Sequence, residues 1–135
     1  MAFGRVLTTA AVSASLILGG ATAAFAGTGG TTSTKLDNGT LYFEARNGSV
    51  VSGNSSVFYG ATKYKKTGGS KVTAYLKMVT GEAIFSSPQK TVSSGATIDY
   101  SFGAKSIARF APDCDASGLM DASTGQYYTP SISFC

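Results

Sequence analysis

The sequence has no histidine and no tryptophan, and only two cysteines, three prolines and seven acidic residues among 135 positions. Without histidine there is no Ser-His-Asp or Cys-His nucleophile pair, no imidazole metal ligand and no imidazole pH switch. Two thiols alone do not furnish a tetrahedral zinc site. Charged residues make up only 13% of the chain, while glycine occurs 17 times. That balance argues against a coiled coil or an acidic tail and suits one rigid β domain. No cofactor and no metal is expected from this set of side chains.

What is present begins with the pattern of an export signal. Arg5 supplies a single positive charge, Val6 to Leu18 form a mostly apolar run, and Ala24-Phe25-Ala26 is an A-x-A cleavage motif. The run is too short for a membrane span and no stop-transfer charges follow it. There is no Arg-Arg pair for the twin-arginine route and no cysteine at the cleavage site to carry a lipid. Residues 1–26 are therefore expected to be a signal peptide of bacterial Sec type. The mature protein is expected to be secreted, without a transmembrane segment. In that compartment Cys114 and Cys135 have a single intramolecular pairing, and a disulfide between them is expected.

Residues 27–38 (GTGGTTSTKLDN) are Gly/Thr-rich and aperiodic, and read as a flexible leader. From residue 39 to 135 the punctuation is that of short strands. Leu41, Phe43 and Ala45 alternate with Tyr42, Glu44 and Arg46, and Asn47-Gly48 reads as a tight hairpin turn. Segments 49–52 and 55–59 follow as short strands. Val72, Ala74, Leu76 and Met78 share one face of a strand; Lys71, Thr73, Tyr75 and Lys77 share the other. Ala96 to Phe102 alternates in the same way, and segments 105–110 and 127–134 read as the last strands. The expected fold is all-β: a small antiparallel β-sandwich over residues 39–135, with immunoglobulin-like topology as one form of it.

Three constellations bear on chemistry. Lysines cluster around Gly68-Gly69-Ser70. A three-residue hairpin loop there pairs Lys65 with Thr73 and lines up Lys63, Lys65, Lys71 and Lys77 beside Tyr75 on one solvent face. Such a face attracts anionic polymers or lipid surfaces, although lysines also serve simply to keep an edge strand unpaired. Asp113, Asp115 and Asp121, with Ser117 and Gly118, share the spacing that opens a calcium loop. Thr124 stands where the bidentate glutamate belongs, so a polar connector is the preferred reading. Glu44 and Glu82 are the only glutamates, and nothing in the pattern brings them together as the acid and base of a glycosidase.

The function expected from the residues is binding without catalysis. The partner would be an anionic envelope polymer or a protein, with no nucleic acid in vivo. The alternatives are an exported bacteriocin-like protein, or an enzyme inhibitor presenting the segment between Cys114 and Cys135 as a rigid loop.

Overall fold

The computed structural model describes residues 27–135; the expected signal peptide, residues 1–26, lies outside the described residues. Two antiparallel sheets account for most of the described residues. The first joins β1 (Gly29–Leu36), β2 (Gly39–Asn47), β3 (Val57–Lys66) and β7 (Thr97–Ser101) in that order, with β8 (Lys105–Ser106) also on β3. The second runs β10 (Gly125–Tyr128), β9 (Asp115–Ala122), β4 (Val72–Thr80), β5 (Ile84–Ser86). In this sheet β6 (Lys90–Val92) adds to β4, and β11 (Ile132–Ser133) to β9.

Alternation explains the long strands. In β2 the buried residues are Leu41, Phe43 and Ala45; in β4 they are Ala74, Leu76 and Met78. Residues of both sheets meet in two clusters. One gathers Phe43, Phe58, Met78, Ala116 and Phe134; the other gathers Leu41, Tyr64, Leu76, Val92 and Met120. Gly118 in β9 is required at the first contact, since a Cβ there would lie 2.7 Å from that of Phe43. The disulfide joins Cys114 to Cys135 with 5.5 Å between Cα atoms. Beside it the Phe134 amide donates to the Cys114 carbonyl, and the Phe58 and Phe134 rings stack 4.5 Å apart.

Several expectations are corrected. Residues 29–36 are no flexible leader: β1 pairs along its whole length with β2, from Gly29 opposite Arg46 to Leu36 opposite Gly39. An edge strand tolerates a Thr/Ser-rich composition because β-branched threonine favours extended backbone and one flank stays open. Thr34 Oγ1 also donates to the Tyr128 carbonyl at 2.7 Å, tying this edge to the other sheet. The tight turn falls at Asp37-Asn38, and not at Asn47-Gly48. Asn47 ends β2 and caps a 3-10 turn (Gly48–Val50), accepting from the Ser49 amide while its Nδ2 donates to the Phe134 carbonyl. That turn replaces the strand expected at 49–52.

Segment 105–110 becomes β8 followed by α1 (Ile107–Phe110), because the Ser106 hydroxyl caps the Arg109 amide. Segment 127–134 divides into β10 and β11, with Thr129–Ser131 between them. The stretch around Asp113–Asp121 is neither connector nor calcium loop. As β9 it is flanked by both β4 and β10, and extended backbone carries Asp115 and Asp121 apart.

The largest correction concerns the lysine hairpin. β3 and β4 belong to different sheets. β2 and β7 occupy the two flanks of β3, while β9 and β5/β6 occupy those of β4, so neither strand has an edge for the other. Residues 67–71 carry the chain across from one sheet to the next. Between the two strands, the buried Thr62 hydroxyl donates to the Lys77 carbonyl at 2.9 Å.

Candidate functional site

The five residues expected on one face are dispersed by this crossing. Lys63 and Lys65 stand on the outward face of β3, Tyr75 and Lys77 on the outward face of β4, and Lys71 is exposed in the connector between them. Lys77 is partly neutralised: its Nζ lies 3.3 Å from Asp121 Oδ2 and over the Tyr75 ring at 5.8 Å. The hairpin-borne basic surface therefore does not form.

A different basic surface does form, on the outward face of the first sheet. Cross-strand register runs Lys35–Thr40–Lys65–Thr97 in one row and Ser33–Tyr42–Lys63–Asp99 in the next. Lys63 Nζ sits 5.0 Å from the centre of the Tyr42 ring. Burial pulls the Lys63 ammonium below the usual lysine range; Asp99 opposes the shift, Lys65 adds to it and Glu44 opposes it again. Burial likewise raises the Tyr42 phenol, with a Thr40 hydrogen bond opposing. Further along β2, Arg46 Nε bonds Glu44 Oε2 beside a shallow hollow of about 220 Å³ that Val51 and Tyr59 help to line. Lysines 35, 63 and 65 form no ion pair within the described residues.

The second site is concave and lies where the chain crosses between the sheets. A cleft of about 410 Å³ opens there between the end of β1, the end of β3, the start of β4 and the β9–β10 turn. Leu36, Val72 and Met120 give it apolar walls; Asn38, Ser70 and Thr124 give it polar ones. Tyr64 and Lys66 line it from the inward face of β3, and both are buried. Lys66 is only 2% exposed, and its ammonium has one partner among the described residues, the Gly68 carbonyl. Tyr64 lies with its hydroxyl over Gly39, where a Cβ would come within 2.8 Å of that oxygen. Burial, then the neighbouring Tyr127, raises the Tyr64 phenol above the usual tyrosine range.

Lys66 escaped the sequence argument, which drew its basic face from Lys63, Lys65, Lys71 and Lys77. The signal was there in the period of two: Lys66 has the parity of Phe58, Thr62 and Tyr64, all buried on β3.

Other candidate chemistry is not assembled. Glu44 lies on β2 and Glu82 in the turn between β4 and β5. No three His, Cys, Asp or Glu side chains come together as a metal-ligand set among the described residues. The segment between Cys114 and Cys135, which an inhibitor would need as a displayed loop, is mostly strand paired within the second sheet. Among the described residues no helix is long and apolar enough to cross a membrane. No family model matches the chain, and neither a curated protein nor a solved structure matches it.

Proposed function

We propose that the protein acts by contact: an exported, disulfide-tied β-sandwich that binds an anionic envelope polymer and performs no bond-making. The sandwich reading is supported by the two core clusters, to which both sheets contribute. The immunoglobulin-like form of that sandwich is supported by strand order: β2-β3-β7 and β10-β9-β4 follow the A-B-E and G-F-C neighbours of immunoglobulin sheets, with β1 added beside β2 and β5 beside β4. Export is supported by the A-x-A motif before Gly27 and by the Cys114–Cys135 bridge, which persists in oxidising compartments.

The observation that carries the binding reading is the row Lys35–Thr40–Lys65 with Lys63 in the neighbouring row. Strands repeat at about 4.8 Å, so Lys35 and Lys65 stand roughly 10 Å apart across the sheet. Cations held at such spacing on a flat face meet successive charges of an extended polyanion, and release of its counterions drives binding. The test is a pull-down on isolated cell walls and on dextran sulfate, comparing the wild type with the Lys63→Gln/Lys65→Gln double variant. Both substitutions sit on an outward face, so the fold should persist. Retention should fall severalfold in the variant, and added salt should reproduce the loss in the wild type. Equal retention of both proteins at low salt would end this proposal.

A further inference from the structure

Buried ammonium groups in folded proteins are almost always paired, because an ion taken out of water loses its hydration unless a partner replaces it. Lys66 departs from that rule. One of its three N–H donors reaches the Gly68 carbonyl, and no carboxylate among the described residues stands within ion-pair distance. Tyr64, 3% exposed, likewise has no hydrogen-bond partner for its hydroxyl among the described residues. The two are separated by one residue on the same face of β3, so their side chains leave the strand about 7 Å apart. Both line the same cleft.

We propose that this cleft binds a small organic monocarboxylate. Its carboxylate would be held by the Lys66 ammonium and the Tyr64 hydroxyl, and its apolar body would lie along Leu36, Val72 and Met120. Two unsatisfied donors ask for an acceptor, and the uncompensated charge asks for an anion. A carboxylate offers two oxygens, one for each donor. The charge of the lining favours a monoanion over a phosphate dianion: Lys35 and Lys66 against Asp37 leave one positive charge. The remaining walls explain why the ligand needs an organic body. A volume of about 410 Å³ falls within the range of small-molecule sites, and Leu36, Val72 and Met120 give it apolar wall for such a body. This site is independent of the polymer-binding face, since Lys63 and Lys65 point to the outward side of β3 and Lys66 to the inward side.

The experiment is a titration of the purified protein followed by NMR at the Met120 methyl and the Tyr127 ring. The probes are octanoate, its uncharged analogue octanamide, and inorganic phosphate. Octanoate should shift both signals saturably and bind about tenfold or more tightly than octanamide, the ratio a charged hydrogen bond supplies. Lys66→Met should abolish that preference while its thermal transition stays at or above that of the wild type, since an unpaired buried charge has been removed. Tyr64→Phe keeps the ring and should weaken octanoate a fewfold; it carries the test if Lys66→Met does not fold. Lys63→Gln/Lys65→Gln should leave octanoate binding unchanged, which separates this site from the polymer-binding face. Equal affinity for octanoate and octanamide would overturn the proposal, as would saturation by phosphate alone or the absence of any shift at the cleft.

Discussion

The two halves of the core are built from the same strands yet finished differently. Toward the disulfide, Phe43, Phe58, Met78, Phe102 and Phe134 interlock, all 7% exposed or less, and no ionisable side chain is among the buried members of the cluster. Toward the crossing, smaller Leu41, Ala74 and Val92 share space with Tyr64, and the buried Lys66 sits beside a cleft. The first half spends aromatic surface and a covalent bridge on rigidity. The second keeps polar groups that an efficient core would have replaced. Proteins leave such local inconsistencies where a site is needed, and compensate elsewhere in the structure.

The comparison breaks most readily in the closed half. Phe58→Ala removes a fully buried ring stacked on Phe134 and should cost about 3–5 kcal/mol in urea unfolding. Val72→Ala, in the half-buried wall of the cleft, should cost about 1 kcal/mol. Equal costs would mean that the two halves are packed alike.

Next in size is the bridge itself. Reduction of Cys114–Cys135, which are 21 positions apart, should lower stability by about 3 kcal/mol in the chain-entropy model. The loss should be localised as well. Amide exchange should quicken first at Phe134 and Ile132, next to the bridge, and later at Leu76 and Met120. Uniform quickening would show that the bridge supports the whole molecule and not one end.

How much of this was legible beforehand depended on which residues carry the alternation. β2, β4 and β7 announce themselves because large apolar residues mark every second position, as at Val72, Ala74, Leu76 and Met78. The disulfide was legible because two cysteines in a chain expected to be exported leave one intramolecular pairing. β1 was hidden, since its inward positions include Thr32 and Thr34, and an edge strand needs little apolar surface. β9 was hidden because Gly118, required by the bulk of Phe43, falls where an apolar side chain would have signalled burial, and aspartates flank it. The lysine face failed for a different reason. Local register rules choose how two neighbouring strands pair if they pair, but they do not say whether the chain turns back within one sheet or crosses to another. Of the cleft, Lys66 was readable from its parity on β3, whereas its missing partner depends on where Asp37 and the other carboxylates end up. That is tertiary information.

The smallest effect is a pH dependence to which Tyr64 of the open half contributes. Tyr64 holds its phenol proton to higher pH in the folded protein than the ordinary value of 10.0, because burial disfavours the phenolate. Above pH 10 the unfolded chain therefore binds fewer protons than the folded one, and stability falls as pH rises. Tyr42 acts in the same direction from the outward face. Lys63 acts oppositely: its folded-state pKa lies below 10.5, so folding is favoured as pH climbs from that lowered value toward 10.5. Urea midpoints measured from pH 9 to pH 11 should thus decline less steeply in Tyr64→Phe than in the wild type. Phe58→Ala should shift all midpoints downward without altering the slope, since no proton is bound or released in the closed cluster. If Tyr64→Phe leaves the slope unchanged, its hydroxyl is hydrated in the folded state. The cleft would then already supply by water what its buried position denies, and the contrast between the two halves would be one of packing alone.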